Sequence, residues 1–211
     1  MTHYYHVKRI LDIVFSLGAL IVLIPILIIV SILIPIDSKG PILFTQERLG
    51  RNGKVFGIYK FRTMIVGAIN LGQGLKTGEG DERITKIGKF LRKTSLDELP
   101  QLINVLKGDM SIIGPRPPVT YHPYKYEEYD STQKKRFLLR PGISGYAQVM
   151  VRNAVPWDER IKYDVYYYEN LSLLFDVKIF FKTIQTVLSK RNIYHNEKKS
   201  STQKSQIENS I

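Results

Sequence analysis

No cysteine occurs among the 211 residues, which excludes a disulfide framework, a thiolate metal site and a cysteine nucleophile. That suits a reducing compartment. The chain also lacks a His-x-x-x-His pair, a P-loop and a Gly-x-Gly-x-x-Gly loop. Zinc hydrolysis, P-loop phosphate transfer and dinucleotide binding therefore lose their usual sequence carriers. No internal repeat is present. Acidic residues are scarce: 19 Asp and Glu stand against 31 Lys and Arg, a formal charge of +12. An excess of that size points to phosphates, nucleic acid or an anionic membrane surface.

Charge is missing altogether from Ile13 to Ile36, a run of 24 almost wholly aliphatic residues. As a helix it would measure about 36 Å, enough for a bilayer core of about 30 Å. It is too long for a signal peptide, and no small-residue cleavage site follows. Pro25, near its middle, removes a backbone hydrogen bond and is expected to break or kink the helix. Lys8 and Arg9 precede the run, and Lys39, Arg48, Arg51 and Lys54 follow it. Positive flanks favour the cytoplasmic side. A straight span satisfies one flank, whereas a kinked helix that returns to the same leaflet satisfies both.

The length leaves room for one compact domain beyond this appendage. Ile42 to Gln46 reads as a strand, Leu49 to Lys54 as a tight turn around Asn52-Gly53, and Val55 to Phe61 as the returning strand. Residues 67–82 read as a Gly-rich loop. A short helix is predicted from Ile84, with Ile87, Phe90 and Leu91 inward and Lys86, Lys89 and Lys93 outward. A second is predicted to begin near Asp97, with Pro100 in its first turn, and to stop at Gly108. Its buried stripe would be Leu99, Leu102, Ile103 and Leu106. Gly114 to Pro118 reads as a stiff extended segment, Tyr124 to Phe137 as a polar Tyr-rich helix, and Arg140 to Tyr146 as a Gly-rich turn. Beyond Trp157 the pattern is helical again. From Phe175 to Lys190, Val177, Phe180, Phe181, Ile184, Val187 and Leu188 share one face, which suits a packed helix or one lying on a membrane. The tail after Asn192 is too polar to bury a core.

Asp97 and Glu98 are adjacent carboxylates at an expected helix start, where the helix dipole would hold both ionised. An aspartate there can be a simple N-cap. Its surroundings suggest more. Lys60 and Arg62 follow a strand, Arg92 lies five residues before Asp97, Arg116 is held between prolines, and Arg140 precedes Pro-Gly. Arginine offers a planar fork to phosphate oxygens, and a stiff backbone limits the entropy lost on binding. Two carboxylates together with substrate phosphates also match the way Mg²⁺ is held.

Several of these pieces recur in one order: Lys8-Arg9 with Asp12, Lys60 to Met64, Leu91-Arg92, Ser95 to Gln101, Asn104 to Ser111, Gly114 to Pro117, and Arg140 to Gly145. From Lys8 to Leu188 the chain resembles the bacterial sugar transferases, the monotopic phosphoglycosyl transferases, in their small single-domain form. The resemblance implies an α/β fold, mainly helical with a small hairpin. A re-entrant membrane helix (1–38) would precede a compact catalytic domain with amphipathic interfacial helices (39–190), and a polar tail (191–211) would follow. It implies transfer of a sugar 1-phosphate from a UDP-sugar to undecaprenyl phosphate, with release of UMP. Asp97 would carry a covalent phosphosugar, and Glu98 would be its partner in metal or acid–base work. Both would be ligands of Mg²⁺, while Lys60, Arg62, Arg92, Arg116 and Arg140 would bind phosphate.

The implied setting is the bacterial cell membrane, with the catalytic domain on the cytoplasmic face, no nucleic acid partner, and a homo-oligomer left open. The family kinks its membrane helix at a Ser-Pro pair, where this chain has Ile24-Pro25; it usually has Trp where this chain has Tyr146. A rival from another class is a non-enzymatic tether whose basic domain binds anionic lipid or nucleic acid. That rival predicts steep salt dependence and indifference to Asp97 and Glu98. A glycosidase fits poorly, because its paired carboxylates flank the sugar from positions about 5 Å or more apart.

Overall fold

The computed structural model describes residues 2–71, 80–151 and 154–188. The tail, and the part of the Gly-rich loop from 72 to 79, lie outside the described residues.

Helix α1 runs from Thr2 to Asp37. Pro25 does not end it: a proline inside a helix leaves one carbonyl without its donor, and the ladder resumes on either side. Most of its aliphatic surface is open, including Val14, Phe15, Ile21, Val22, Ile28, Ile29 and Ile36. Two short stretches are covered by the rest of the protein. Near the start, Lys8, Asp12 and Ser16 are buried at a spacing of four, a single stripe along the helix. Lys8 Nζ donates to Asp176 Oδ2 at 2.6 Å, and the Ile112 N–H donates to Asp12 Oδ1 at 3.0 Å. Tyr4 and Tyr167 hydroxyls complete the shell around Asp176, at 2.6 and 2.5 Å. Near the other end, Val30 and Ile34 pack with Phe61 and Leu91.

A hairpin follows. Strand β1 (Leu43–Leu49) pairs antiparallel with β2 (Val55–Phe61), with Leu43 opposite Phe61 and Leu49 opposite Val55. The turn places Asn52 at φ 56°, as the Asn-Gly pair predicts. Helix α2 (Lys86–Thr94) is capped by Thr85 and by Asp37, whose carboxylate accepts from the Ile87 N–H at 2.8 Å. A carboxylate suits that positive helix end. Its inward face is Ile87, Gly88 and Leu91, because a Cβ at residue 88 would collide with the Thr63 carbonyl. Phe90, expected inward, is exposed.

Helix α3 (Gln101–Lys107) ends at Gly108, whose left-handed φ of 91° lets its N–H reach back to the carbonyls of Asn104 and Val105. Its buried residues are Gln101, Leu102, Asn104 and Val105, whereas Ile103 is exposed, so the expected stripe is rotated. Strands β3 (Ser111–Ile113) and β4 (Gly142–Ser144) pair in parallel. The Gly-rich turn is therefore partly a strand. The Tyr124–Phe137 segment is not one helix. It forms a 3₁₀ turn at Tyr126–Glu128, then α4 (Ser131–Lys134) capped by Asp130, then a second 3₁₀ turn at Lys135–Leu138. Asp130 competes for backbone N–H groups and restarts the helix.

Helices α5 (Tyr146–Met150), α6 (Trp157–Glu169) and α7 (Leu173–Leu188) complete the order. Of α7, Asp176 and Ile179 are buried, while Leu173, Leu174, Val177, Phe180, Phe181, Ile184 and Leu188 are exposed. Its apolar face is thus turned away from the domain.

Candidate active site

Ser95 adopts the left-handed conformation, φ 58°, and closes α2 with its N–H on the Arg92 carbonyl. The chain then makes one 3₁₀ turn, Leu96–Glu98, before α3 starts at Gln101. Asp97 and Glu98 therefore sit in the elbow between two helices, and neither is the N-cap of α3. Pro100 occupies that position, as a residue with no N–H can.

Strand β2 brings Lys60 to the elbow, with Nζ 2.6 Å from Glu98 Oε1. Arg116, on the proline-flanked segment after β3, lies 3.6 Å from the same oxygen. The two carboxylates are pushed apart in acidity. Burial, helped by the negative Glu98, raises Asp97 to about 6 against the pull of Lys60, Arg92 and Arg116. Burial also opposes the ionisation of Glu98, but Lys60 and Arg116 outweigh it and hold Glu98 well below the usual carboxylate range. Both carboxylates lie in the 3₁₀ turn that precedes α3, so their acidity is set by burial against the neighbouring cations rather than by the end of α3, and both stay largely ionised at neutral pH. One carboxylate is a fixed anion committed to cations. The other keeps a basic oxygen pair, and such divergence marks a division of roles.

Arg116 is held from both sides through its backbone. Its own carbonyl accepts from Arg136 Nη2 at 2.8 Å, and the next carbonyl, of Pro117, accepts from Arg48 Nη1 at 3.0 Å. Arg136 is in turn fixed on buried Asp164, at 3.0 and 2.7 Å. In the sequence Arg48 stands out only as flank charge, and nothing there singles out Arg136 or Asp164. A signal for Arg48 was present: Gln46 and Arg48 share one face of β1, and Arg48 Nη2 donates to the Gln46 side chain at 2.6 Å. Arg48 is lowered to about 10 by burial and then by neighbouring Arg116, which marks a region dense in guanidinium charge.

The other predicted cations divide. Arg92 lies beside Asp97 and donates to the Thr63 hydroxyl at 2.8 Å. Arg62 is buried and spends its fork on the carbonyls of Ser38 (through Nη2) and Lys39 (through Nη1, 2.6 Å), just past the end of α1. Arg140 sits at the far end of α3, donating to the Gly108 carbonyl at 2.9 Å and to the Tyr5 hydroxyl at 2.8 Å. The structure gathers Lys60, Arg92 and Arg116 around the dyad and uses Arg62 and Arg140 to tie α1 to the domain. Among the described residues no group of three or more His, Cys, Asp or Glu forms a ready metal cage. A cation at Asp97 and Glu98 would take its remaining ligands from water and substrate phosphate, which is the habit of Mg²⁺.

The sequence profile of the bacterial sugar transferases matches residues 3–190. The chain belongs to that family. It is 47% identical over 194 residues to a galactosyl transferase, CpsE, of Streptococcus agalactiae, covering 86% of this chain and 42% of that protein. It is 41% identical over 189 residues to a UDP-N-acetylgalactosamine-undecaprenyl-phosphate N-acetylgalactosaminephosphotransferase of Aeromonas hydrophila, covering 88% of this chain and 44% of that one. A third relative, the exopolysaccharide production protein PSS of Rhizobium leguminosarum, is 42% identical over 192 residues, which is 87% of this chain and 96% of that protein. The chain thus spans less than half the length of the first two relatives and nearly all of the third. The family match includes the elbow, both strands of the hairpin and the Arg116 segment.

Proposed function

We propose that this chain transfers a sugar 1-phosphate from a UDP-sugar to undecaprenyl phosphate, releasing UMP and starting a surface polysaccharide or glycoconjugate. The observation that carries the reading is the divided dyad: a basic carboxylate, Asp97, beside an anchored one, Glu98, within a ring of cations. In the first half-reaction an Asp97 oxygen attacks the sugar-bearing phosphorus, and the bond from that phosphorus to the UMP oxygen breaks. In the second, an oxygen of the lipid phosphate attacks the same phosphorus and frees Asp97. Carboxylates are established phosphoryl nucleophiles. Lys60, Arg92 and Arg116 would draw the negatively charged donor to a negatively charged nucleophile and stabilise charge on the transferring group. Asp97 and Glu98 would hold Mg²⁺, which when bound supplies charge neutralisation at the phosphoryl oxygens. The decisive test is UMP release from a panel of UDP-sugars with undecaprenyl phosphate. Chelation of divalent cations is expected to abolish it, and retention of full activity under chelation would remove Mg²⁺ from the scheme.

Arg116 offers a sharper check. With its backbone fixed by Arg136 and Arg48, it displays a planar fork with little freedom to lose. Arg116→Lys is expected to lower kcat/KM by roughly 10-fold or more at an unchanged Tm, since an ammonium lacks the two-pronged geometry. A fully active variant, or one that merely melts earlier, would leave Arg116 a structural residue.

The same reading places both ends of α1 on the cytoplasmic face, as a re-entrant helix. Its support is that both ends are held by one domain: Lys8 on Asp176, and Asp37 on the start of α2. A helix crossing the bilayer would carry one of those ends to the other side. The exposed aliphatic middle of α1 and the exposed apolar face of α7 would then both meet lipid. Because the chain has no cysteine, single cysteines at exposed His6 and Asn52 give a clean readout. Both are expected to share accessibility to an impermeant reagent in sealed vesicles; labelling from opposite sides would establish a span.

A further inference from the structure

Asn104 is completely buried at the back of α3. Its side-chain Oδ1 accepts from the Tyr59 N–H at 2.9 Å, and its Nδ2 donates to the Gly57 carbonyl at 2.8 Å. Gly57 and Tyr59 lie on β2, whose other edge is taken by β1. The amide therefore occupies the place of a neighbouring strand's peptide group, satisfying one donor and one acceptor on a buried strand edge. Its own carbonyl accepts from the N–H groups of Gly108, Asp109 and Met110, at 3.1, 3.0 and 3.2 Å, so the residue is fixed at both its backbone and its side chain.

The next residue after Tyr59 is Lys60, and α3 begins three residues after Glu98. The Lys60–Glu98 contact at 2.6 Å joins β2 to the 3₁₀ turn that leads into α3, on the site side. The strand is thus pinned twice, to α3 by an amide inside the core and to the turn before α3 by an ion pair at the surface of the elbow. Apolar packing of Val105 on Phe56 and Ile58 also holds α3 and β2 together, but hydrophobic contact is non-directional, whereas a hydrogen bond is directional. A two-point amide bond fixes register along the strand. A slip of α3 along β2 would move Lys60 relative to Glu98 and Asp97 without unfolding either element.

We infer that Asn104 is a positioning residue for the active site: its amide sets the register of β2 against α3 and thereby the place of the Lys60 ammonium over the carboxylate pair. The role rests on the reaction proposed above, but the geometry can be read without turnover. In Asn104→Leu both amide bonds are lost at similar volume. Val105→Ala is the matched control, since it loosens the same interface and leaves the amide intact. Lys60 is followed by competitive acylation and mass spectrometry of its peptide, which reports how firmly the ammonium is paired.

Asn104→Leu is expected to raise Lys60 reactivity at least 3-fold and to lower kcat more than it raises KM. Val105→Ala, even at equal loss of Tm, is expected to do neither. Asn104→Ser, which lacks the reach to pair with both strand groups, should follow Asn104→Leu if the leucine variant folds poorly. If the asparagine variants and Val105→Ala change Lys60 reactivity equally, or none changes it, Asn104 is a packing residue and the inference fails. A wild-type protein that releases no UMP, yet shows the Lys60 difference, would overturn the proposed reaction and leave the positioning role standing.

Discussion

Asp97→Asn is expected to abolish UMP release and covalent labelling while raising the melting temperature. The loss follows from chemistry, because an amide cannot form the acyl phosphate. The gain follows from linkage. In the unfolded chain an aspartate titrates near 4; in the fold Asp97 titrates at about 6, raised first by burial and then by Glu98. The folded state therefore binds the proton more tightly. The stabilisation linked to that proton is complete below about pH 4 and is lost as pH rises through about 6. Above that, the ionised carboxylate is a liability of about 3 kcal/mol, which asparagine removes. That corresponds to a rise of roughly 6–12 °C in Tm at pH 7.5, shrinking toward pH 4. Thermal melts of both proteins across that range, with UMP release measured alongside, check both halves. A folded Asp97→Asn protein with normal turnover would end the covalent scheme. The same titration implies that wild-type kcat/KM declines as pH falls through about 6, since the protonated carboxyl is no nucleophile.

The second large effect is expected far from the reacting atoms. Asp164→Ala removes the sole carboxylate on Arg136 among the described residues, and both groups are buried, at 4% and 1% side-chain exposure. A buried guanidinium left without its partner costs about 3–5 kcal/mol, a fall in Tm of roughly 10 °C. Arg136 also holds the Arg116 carbonyl, so kcat/KM should fall even well below the new melting point. Asp164→Asn keeps an acceptor and should lose less of both. An Asp164→Ala protein that melts like wild type would mean that the cavity rehydrates and that the pair adds no net stability.

The parts of this fold that were legible in the sequence are those set by local chemistry. Asn52-Gly53 fixed the hairpin turn, and Gly108 stopped α3, because each residue supplies a backbone conformation its neighbours avoid. Phe90, Ile103 and the apolar face of α7 were natural candidates for the core, yet all are exposed. An apolar stripe reports which face avoids water; it does not say whether protein or lipid covers it. The β3–β4 pair was hidden because three-residue parallel strands 31 residues apart leave no period to detect. At the site, the acidic pair and the arginines on stiff backbone were visible. The assignment of each arginine was not, since a guanidinium serves a carbonyl as readily as a phosphate, as Arg62 and Arg140 show.

The polar stripe on α1 bears on how this protein can be handled. Lys8, Arg9 and Asp12 each reach a partner in the domain: Asp176, the Val105 and Leu106 carbonyls, and the Ile112 N–H. Cutting the chain after residue 38 to obtain a water-soluble domain would strip those groups of their partners at once. It would uncover one half of a polar joint. Exchange for an unrelated hydrophobic helix would fail for the same reason, unless the graft carried a lysine, an arginine and an aspartate in the same register. On the proposed reading α1 works as part of the domain it joins, and detergents or nanodiscs that keep it seated are the conditions in which to assay the protein.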